Sequence, residues 1–173
     1  LDVDGKTGRS GAIAKCSGMI APNMATMLGF VTTDVAIEQP VLQEMLKRVC
    51  WHTFNSITVD GDTSTNDMTL VLANGLLGNS PIADLESPAA RSFEKALYSV
   101  CLHLAKEIAR DGEGATKLVE VTVQNVAVPD NLAKAYDNNG IVMSPEQRAS
   151  FARSVAKTIA NSNLVKTALF GND

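Results

Sequence analysis

The sequence predicts a mixed α/β fold (α+β-like), a layered sandwich of β-sheets flanked by helices. Three long stretches carry apolar residues at helical spacing, while several shorter ones are aliphatic and β-branched. The two kinds are interspersed without a regular β-α-β rhythm, and no repeat, low-complexity tract or linker divides them. At 173 residues the chain is long enough for one domain with a sizeable core or two very small ones. With 5% aromatic residues among 45% apolar ones, that core must be built from small aliphatics.

The opening reads as extended and turn-rich. Asp4-Gly5 is a hairpin turn signal, and Ser10-Gly11 punctuates the chain before Ala12-Ile13-Ala14. Lys15 to Asn23 reads as a loop, in which Pro22 disfavours helix at Ala21. Met24 to Thr33 suits a buried strand. A first helix is expected from Pro40 to His52, with Val41, Leu42, Met45, Leu46 and Val49 on one face. Thr53 to Val59 reads as a strand, Asp60 to Asp67 as a polar loop, and Met68 to Ala73 as a buried strand closed by Asn74-Gly75. Ser87 and Pro88 open the clearest helix, which runs through Phe93, Leu97, Val100, Cys101, Leu104 and Ile108 to a stop at Asp111-Gly112. Lys117 to Val126 alternates with period two, as a half-buried strand does. Ser144 and Gln147 have capping-box spacing for a helix to Asn161, and Leu164 to Phe170 reads as a last strand.

Composition narrows the function classes. Net charge is −4, from 15 basic and 19 acidic residues with no basic stripe, which argues against nucleic acid. Apolar runs such as Thr69 to Ala73 are too short to span a membrane. Cys16, Cys50 and Cys101 are odd in number and widely spaced, so they read as reduced thiols of a cytoplasmic protein. Asp2, Asp4 and Lys6 interrupt any signal-peptide core, and the start at Leu1 reads as the edge of a segment.

Several familiar motifs fail. Asp60-Gly61-Asp62 lacks the Gly and Glu of a calcium loop, since Thr65 and Val71 occupy those positions. Gly5-Lys6-Thr7 lacks the glycine-rich lead of a phosphate loop. His52 and His103 lie far apart on expected helices and read as helix-surface or core-edge residues, and no metal-ligand spacing is present. No metal or cofactor is expected.

What remains is Lys15 to Phe30, followed by two acidic loops. On its own Thr26 is a strand residue chosen for its β-branch. However, Ala14-Lys15-Cys16-Ser17-Gly18-Met19-Ile20-Ala21-Pro22-Asn23-Met24-Ala25-Thr26-Met27-Leu28 resembles the self-cleavage segment of the ornithine acetyltransferases, the bifunctional glutamate N-acetyltransferase family. Thr53-Phe54-Asn55 with Ile57 to Asp67, and Asp111 to Lys117, resemble two further signatures of that family, in the same order along the chain.

The resemblance implies that the chain is cut between Ala25 and Thr26. The Thr26 hydroxyl attacks the preceding carbonyl, and water hydrolyses the resulting ester. The freed α-amine, with an ordinary pKa of about 7.7–8.0, then serves as general base for its own hydroxyl, so that no histidine is needed. A ping-pong reaction follows, in which Thr26 takes an acetyl group from N-acetylornithine and passes it to glutamate. Some relatives also accept acetyl-CoA as donor. The resemblance further implies that Lys15 and Glu113 bind substrate along with Thr26, a cation for a carboxylate and a carboxylate for an ammonium. Read from the residues alone, these are a solvated loop charge and a loop acid. Asp60, Asp62 and Asp67 read as a turn network without a catalytic role.

The implied architecture is that of an N-terminal-nucleophile-like enzyme, with sheets packed face to face between helices. Residues 1–25 would be the end of an α piece and 26–173 most of a β piece, the two associating into a hetero-oligomer. There are two departures. Cys16 stands where relatives usually carry Gly. Family members are also longer, and their Thr-Gly oxyanion pair and further substrate-binding residues fall outside this chain; losing an oxyanion donor costs about a hundredfold or more in rate. Two readings therefore stand: the central piece of an acetyltransferase, or a non-catalytic fragment or interaction module that keeps the core of the fold.

Overall fold

A two-residue turn begins the structure, a computed structural model that describes residues 1–16, 20–21, 27–62, 67–125 and 144–171. Strands β1 (Asp2–Val3) and β2 (Lys6–Thr7) pair antiparallel around Asp4 and Gly5. Both turn residues have positive φ, 54° and 72°, the geometry that matches hairpin twist and favours an Asp-Gly pair.

The main sheet has three strands, β3 (Ser10–Lys15), β4 (Leu28–Thr33) and β5 (Met68–Ala73), in the order β3-β4-β5. β3 and β4 are antiparallel, with Lys15 opposite Leu28, and β4 and β5 are parallel, with Leu28 opposite Met68. A parallel pair needs a crossover. It is supplied by helix α1 (Gln39–His52) and a 3-10 turn (Phe54–Ser56). Helix α2 (Pro88–Arg110) then packs on α1, β1 and β3.

Side chains alternate across the sheet and give it two unlike faces. Val31 on one face is buried with Met45 and Val49 of α1 and Phe93, Leu97 and Cys101 of α2. The other face carries Ile13, Leu70 and Leu72, which are 70%, 38% and 53% exposed. The mixed α/β class stands, and so do the three helices. Ser87 caps α2 by accepting the Ala90 N–H at 3.1 Å. Helix α3 (Pro145–Ala160) opens on the expected capping box, with Ser144 and Gln147 bonded reciprocally.

Three expected strands differ. Thr53 to Val59 opens with the 3-10 turn instead, because the Thr53 hydroxyl donates back to the Val49 carbonyl at 2.7 Å and Phe54 drops into the core. Residues 117–125 alternate but pair with no strand among the described residues, and Leu118 and Val119 are exposed; Val126 lies outside them. Leu164 to Phe170 belongs to helix α4 (Asn163–Gly171). The Ser162 hydroxyl accepts the Val165 N–H at 3.4 Å, and a short apolar run does not itself distinguish strand from helix. Two smaller differences concern β3, which contains both Ser10-Gly11 and Lys15.

Two compact units divide between Thr116 and Lys117. The first holds the sheet, α1 and α2; the second holds α3 and α4, with the Lys117 ammonium donating to the Leu169 carbonyl. The boundary expected between Ala25 and Thr26 is a cleavage point, and both residues lie outside the described ones.

Candidate active site

Described residues of all three sequence signatures, up to Thr116, come together in the first unit. β3 ends at Lys15, and the described chain resumes at Ile20 and Ala21, both buried. The Ile20 N–H donates to Asp60 Oδ1 at 2.9 Å, and its carbonyl accepts the Val59 N–H at 2.6 Å. Residues 22–26 follow, outside the described residues, and with them Ala25 and Thr26. At Met27, which is 2% exposed, the N–H donates to Asp67 Oδ1 and the carbonyl accepts the Met68 N–H at 2.8 Å. Each end of the stretch is thus held by one carboxylate and one backbone bond, all from residues 59–68.

The two carboxylates are not equivalent. Asp60 Oδ1 also accepts the Asp62 N–H at 3.0 Å, so Asp60 is in part the turn-former expected. Among the described residues Asp67 makes no such local bond. Its Oδ2 is shielded from solvent with no partner among the described residues, and burial pushes the carboxyl above the ordinary aspartate range, partly offset by the Met27 N–H. Both carboxylate bonds span the same separation of 40 residues. Ile20 to Met27 and Asp60 to Asp67 are matching intervals, and that was the signal available in the sequence.

The third signature abuts the second. Gly112 is buried against Val59, so tightly that a Cβ there would lie 2.7 Å from Val59 Cγ1. Gly114 has φ +71°, and the Ala115 N–H closes the turn onto the Gly112 carbonyl at 2.9 Å. Glu113 sits between these glycines, exposed. Lys15 is exposed at the end of β3, on the same face as Leu28 and Ile13. The Lys15 and Glu113 side chains make no hydrogen bond or ion pair with each other.

Other groups lie away from these contacts. His52 and His103 are exposed on α1 and α2, as helix-surface residues. Cys101 is buried and its thiol is pushed up to about 12 by burial and the neighbouring Cys50. Cys50 is raised by burial as well, partly offset by the Thr69 hydroxyl. Among the described residues no group of three or more His, Cys, Asp or Glu is arranged to hold a metal ion. No described helix is long and apolar enough to cross a membrane.

Comparison with known proteins decides the family. The ArgJ family profile matches residues 1–145. The chain belongs to the ArgJ family. It is 53% identical over all 173 residues to the arginine biosynthesis bifunctional protein ArgJ of Symbiobacterium thermophilum, covering 38% of that protein. It is 51% identical to the ArgJ protein of Bacillus subtilis strain 168, covering all of this chain and 37% of that one. The crystal structure of the arginine biosynthesis bifunctional protein ArgJ from Bacillus halodurans superposes with a TM-score of 0.66 at 45% identity. That match covers 86% of this chain and 60% of the other. The chain therefore spans under two-fifths of the length of the Symbiobacterium thermophilum and Bacillus subtilis proteins.

Proposed function

We propose that this chain is the central portion of an acetyltransferase of arginine biosynthesis, with Thr26 as its nucleophile. In this reading the bond between Ala25 and Thr26 is cut by the Thr26 hydroxyl, and the freed α-amine becomes the general base. Thr26 then carries the acetyl group from N-acetylornithine to glutamate, with acetyl-CoA a further donor to be tested. Lys15 binds a substrate carboxylate and Glu113 an ammonium group. No metal or cofactor takes part, the α and β pieces remain associated as a hetero-oligomer, and the protein works in the cytoplasm.

One observation carries the reading: Ile20 and Met27, on either side of residues 22–26, are each held by a carboxylate and a backbone bond. Two fixed attachment points support this reading, because an intramolecular attack depends on how the reacting groups are held. The outer sheet face, with Ile13, Leu70 and Leu72 exposed, further supports an architecture in which a second sheet packs on this one.

The second reading is a non-catalytic module that keeps the core of the fold. Intact-mass measurement on the full-length protein separates the two. The acetyltransferase reading expects two pieces meeting at Ala25 and Thr26, a single uncut chain after Thr26→Ala, and acetyl transfer by the wild type only. An uncut wild type without transfer would refute it.

A further inference from the structure

Asn74 and Asn79 are close in sequence and are held in opposite ways. Asn79 is 7% exposed, and its amide is engaged throughout: Oδ1 accepts the Ala36 N–H at 2.9 Å, and Nδ2 donates to the Ala36 and Ser80 carbonyls at 3.0 and 2.8 Å. Asn74 is exposed, one residue past the end of β5. Its Oδ1 accepts the Leu76 N–H at 3.0 Å, and its Nδ2 has no partner among the described residues. The ring closed by the Leu76 bond runs through Asn74 Cγ and the Gly75 nitrogen. The side-chain carbonyl is therefore turned back over the following peptide and polarised by a donor. Gly75 has φ +71°, and its N–H makes no hydrogen bond among the described residues. No side chain at that position shields the nitrogen. Of the described asparagines, only Asn74 precedes a glycine. The turn is tied down on both sides, the Asn74 N–H donating to the Thr33 carbonyl at 3.1 Å and the Leu77 N–H to the Asp34 carbonyl at 2.8 Å.

We propose that Asn74 is a site of spontaneous amide modification in the folded protein, forming a succinimide with Gly75. The Gly75 nitrogen attacks Asn74 Cγ and gives up its proton. An N–Cγ bond forms, the Cγ–Nδ2 bond breaks, and ammonia leaves with that proton. Water then opens the ring at either carbonyl and leaves aspartate or isoaspartate at position 74. Either product adds a negative charge, and isoaspartate routes the main chain through one extra carbon. The bonds to Thr33 and Asp34 flank that carbon, so the turn itself must absorb it. This inference is independent of the reading of Thr26.

The test ages the full-length protein at neutral pH and maps its peptides by mass spectrometry. An S-adenosylmethionine-dependent isoaspartyl methyltransferase is the probe for isoaspartate, and a parallel sample is unfolded in urea. Folded wild type should convert Asn74 while Asn79 stays intact, and its Tm should fall as isoaspartate accumulates. Gly75→Ala places a Cβ beside the nucleophile and disfavours its backbone geometry, and should slow conversion by about tenfold or more. Asn74→Ser keeps an oxygen for the Leu76 N–H but carries no amide, so it should hold its Tm on ageing and gain no methyl-accepting site there. An Asn74 that stays intact in the folded protein overturns the inference, whether or not urea releases it. Conversion of Asn79 in step with Asn74 also overturns it, because the reaction would then proceed through unfolding.

Discussion

Replacing Gly112 with alanine places a methyl group into the contact between the second and third signatures. The added carbon would lie 2.7 Å from Val59 Cγ1, 3.1 Å from Val59 Cγ2 and 3.4 Å from the Ala109 carbonyl. Carbon pairs settle at about 3.5–4.0 Å, so the two segments must separate by about 1 Å. Overpacking of this kind costs about 1–3 kcal/mol. The displacement falls on the turn that carries Glu113, and a misplacement of about 1 Å near a reacting group can cost a hundredfold in rate. In the full-length protein Gly112→Ala should therefore lower both Tm and kcat/KM. The clash depends on the Val59 γ-carbons, so Val59→Ala in the same chain should recover much of the loss. A double-mutant cycle by thermal unfolding should give a favourable coupling of about 0.5–3 kcal/mol. Gly114→Ala is the control. Nothing lies within 4 Å of a Cβ there, but φ is +71°, and the backbone penalty of about 1–2 kcal/mol should be indifferent to Val59. Strict additivity of Gly112→Ala and Val59→Ala would refute the steric account of how the signatures are held together.

Two further outcomes can be checked directly. Thiol titration of the folded protein at pH 8 should leave Cys101 unmodified, since it is buried and its thiol is pushed up to about 12; Cys50, raised by burial, should react slowly, and denaturant should release both. Lys15→Met and Glu113→Gln in the processed enzyme should raise KM by about tenfold or more without lowering Tm, because both side chains are exposed and unpaired within the described fold. Unchanged KM would remove them from the substrate site.

Legibility followed the range of the interactions involved. Helix α2 could be read because its apolar stripe and its Ser87-Pro88 cap are local, and α3 because a capping box needs only Ser144 and Gln147. The parallel partnership of β4 and β5 has no local mark. Residues 117–125 misled because alternation describes a strand's faces and not its neighbour, and Leu164 to Phe170 because a short apolar run fits either periodicity. At the site, the acidic loop read correctly as turn-forming at Asp60, which bonds Asp62. It read incompletely at both aspartates, since each also reaches across 40 residues to Ile20 or Met27. A side chain's local options can be enumerated from sequence, whereas a long-range acceptor becomes visible only when the fold brings its donor to it.

The outer face of the sheet connects folding to the proposed chemistry. Parity along β3 and β4 puts Lys15 on the same side as Ile13, Leu28 and Phe30, and opposite Val31 and the helices. Lys15, the proposed partner of the substrate carboxylate, thus stands at the edge of the sheet face that α1 and α2 leave uncovered. Apolar side chains as exposed as Ile13 and Leu72 gain by being covered. Whatever chain packs there also closes one side of the space around Lys15, lowering its dielectric and strengthening its attraction for a carboxylate. On the proposed reading, completing the sheet sandwich and completing the substrate site are therefore one event.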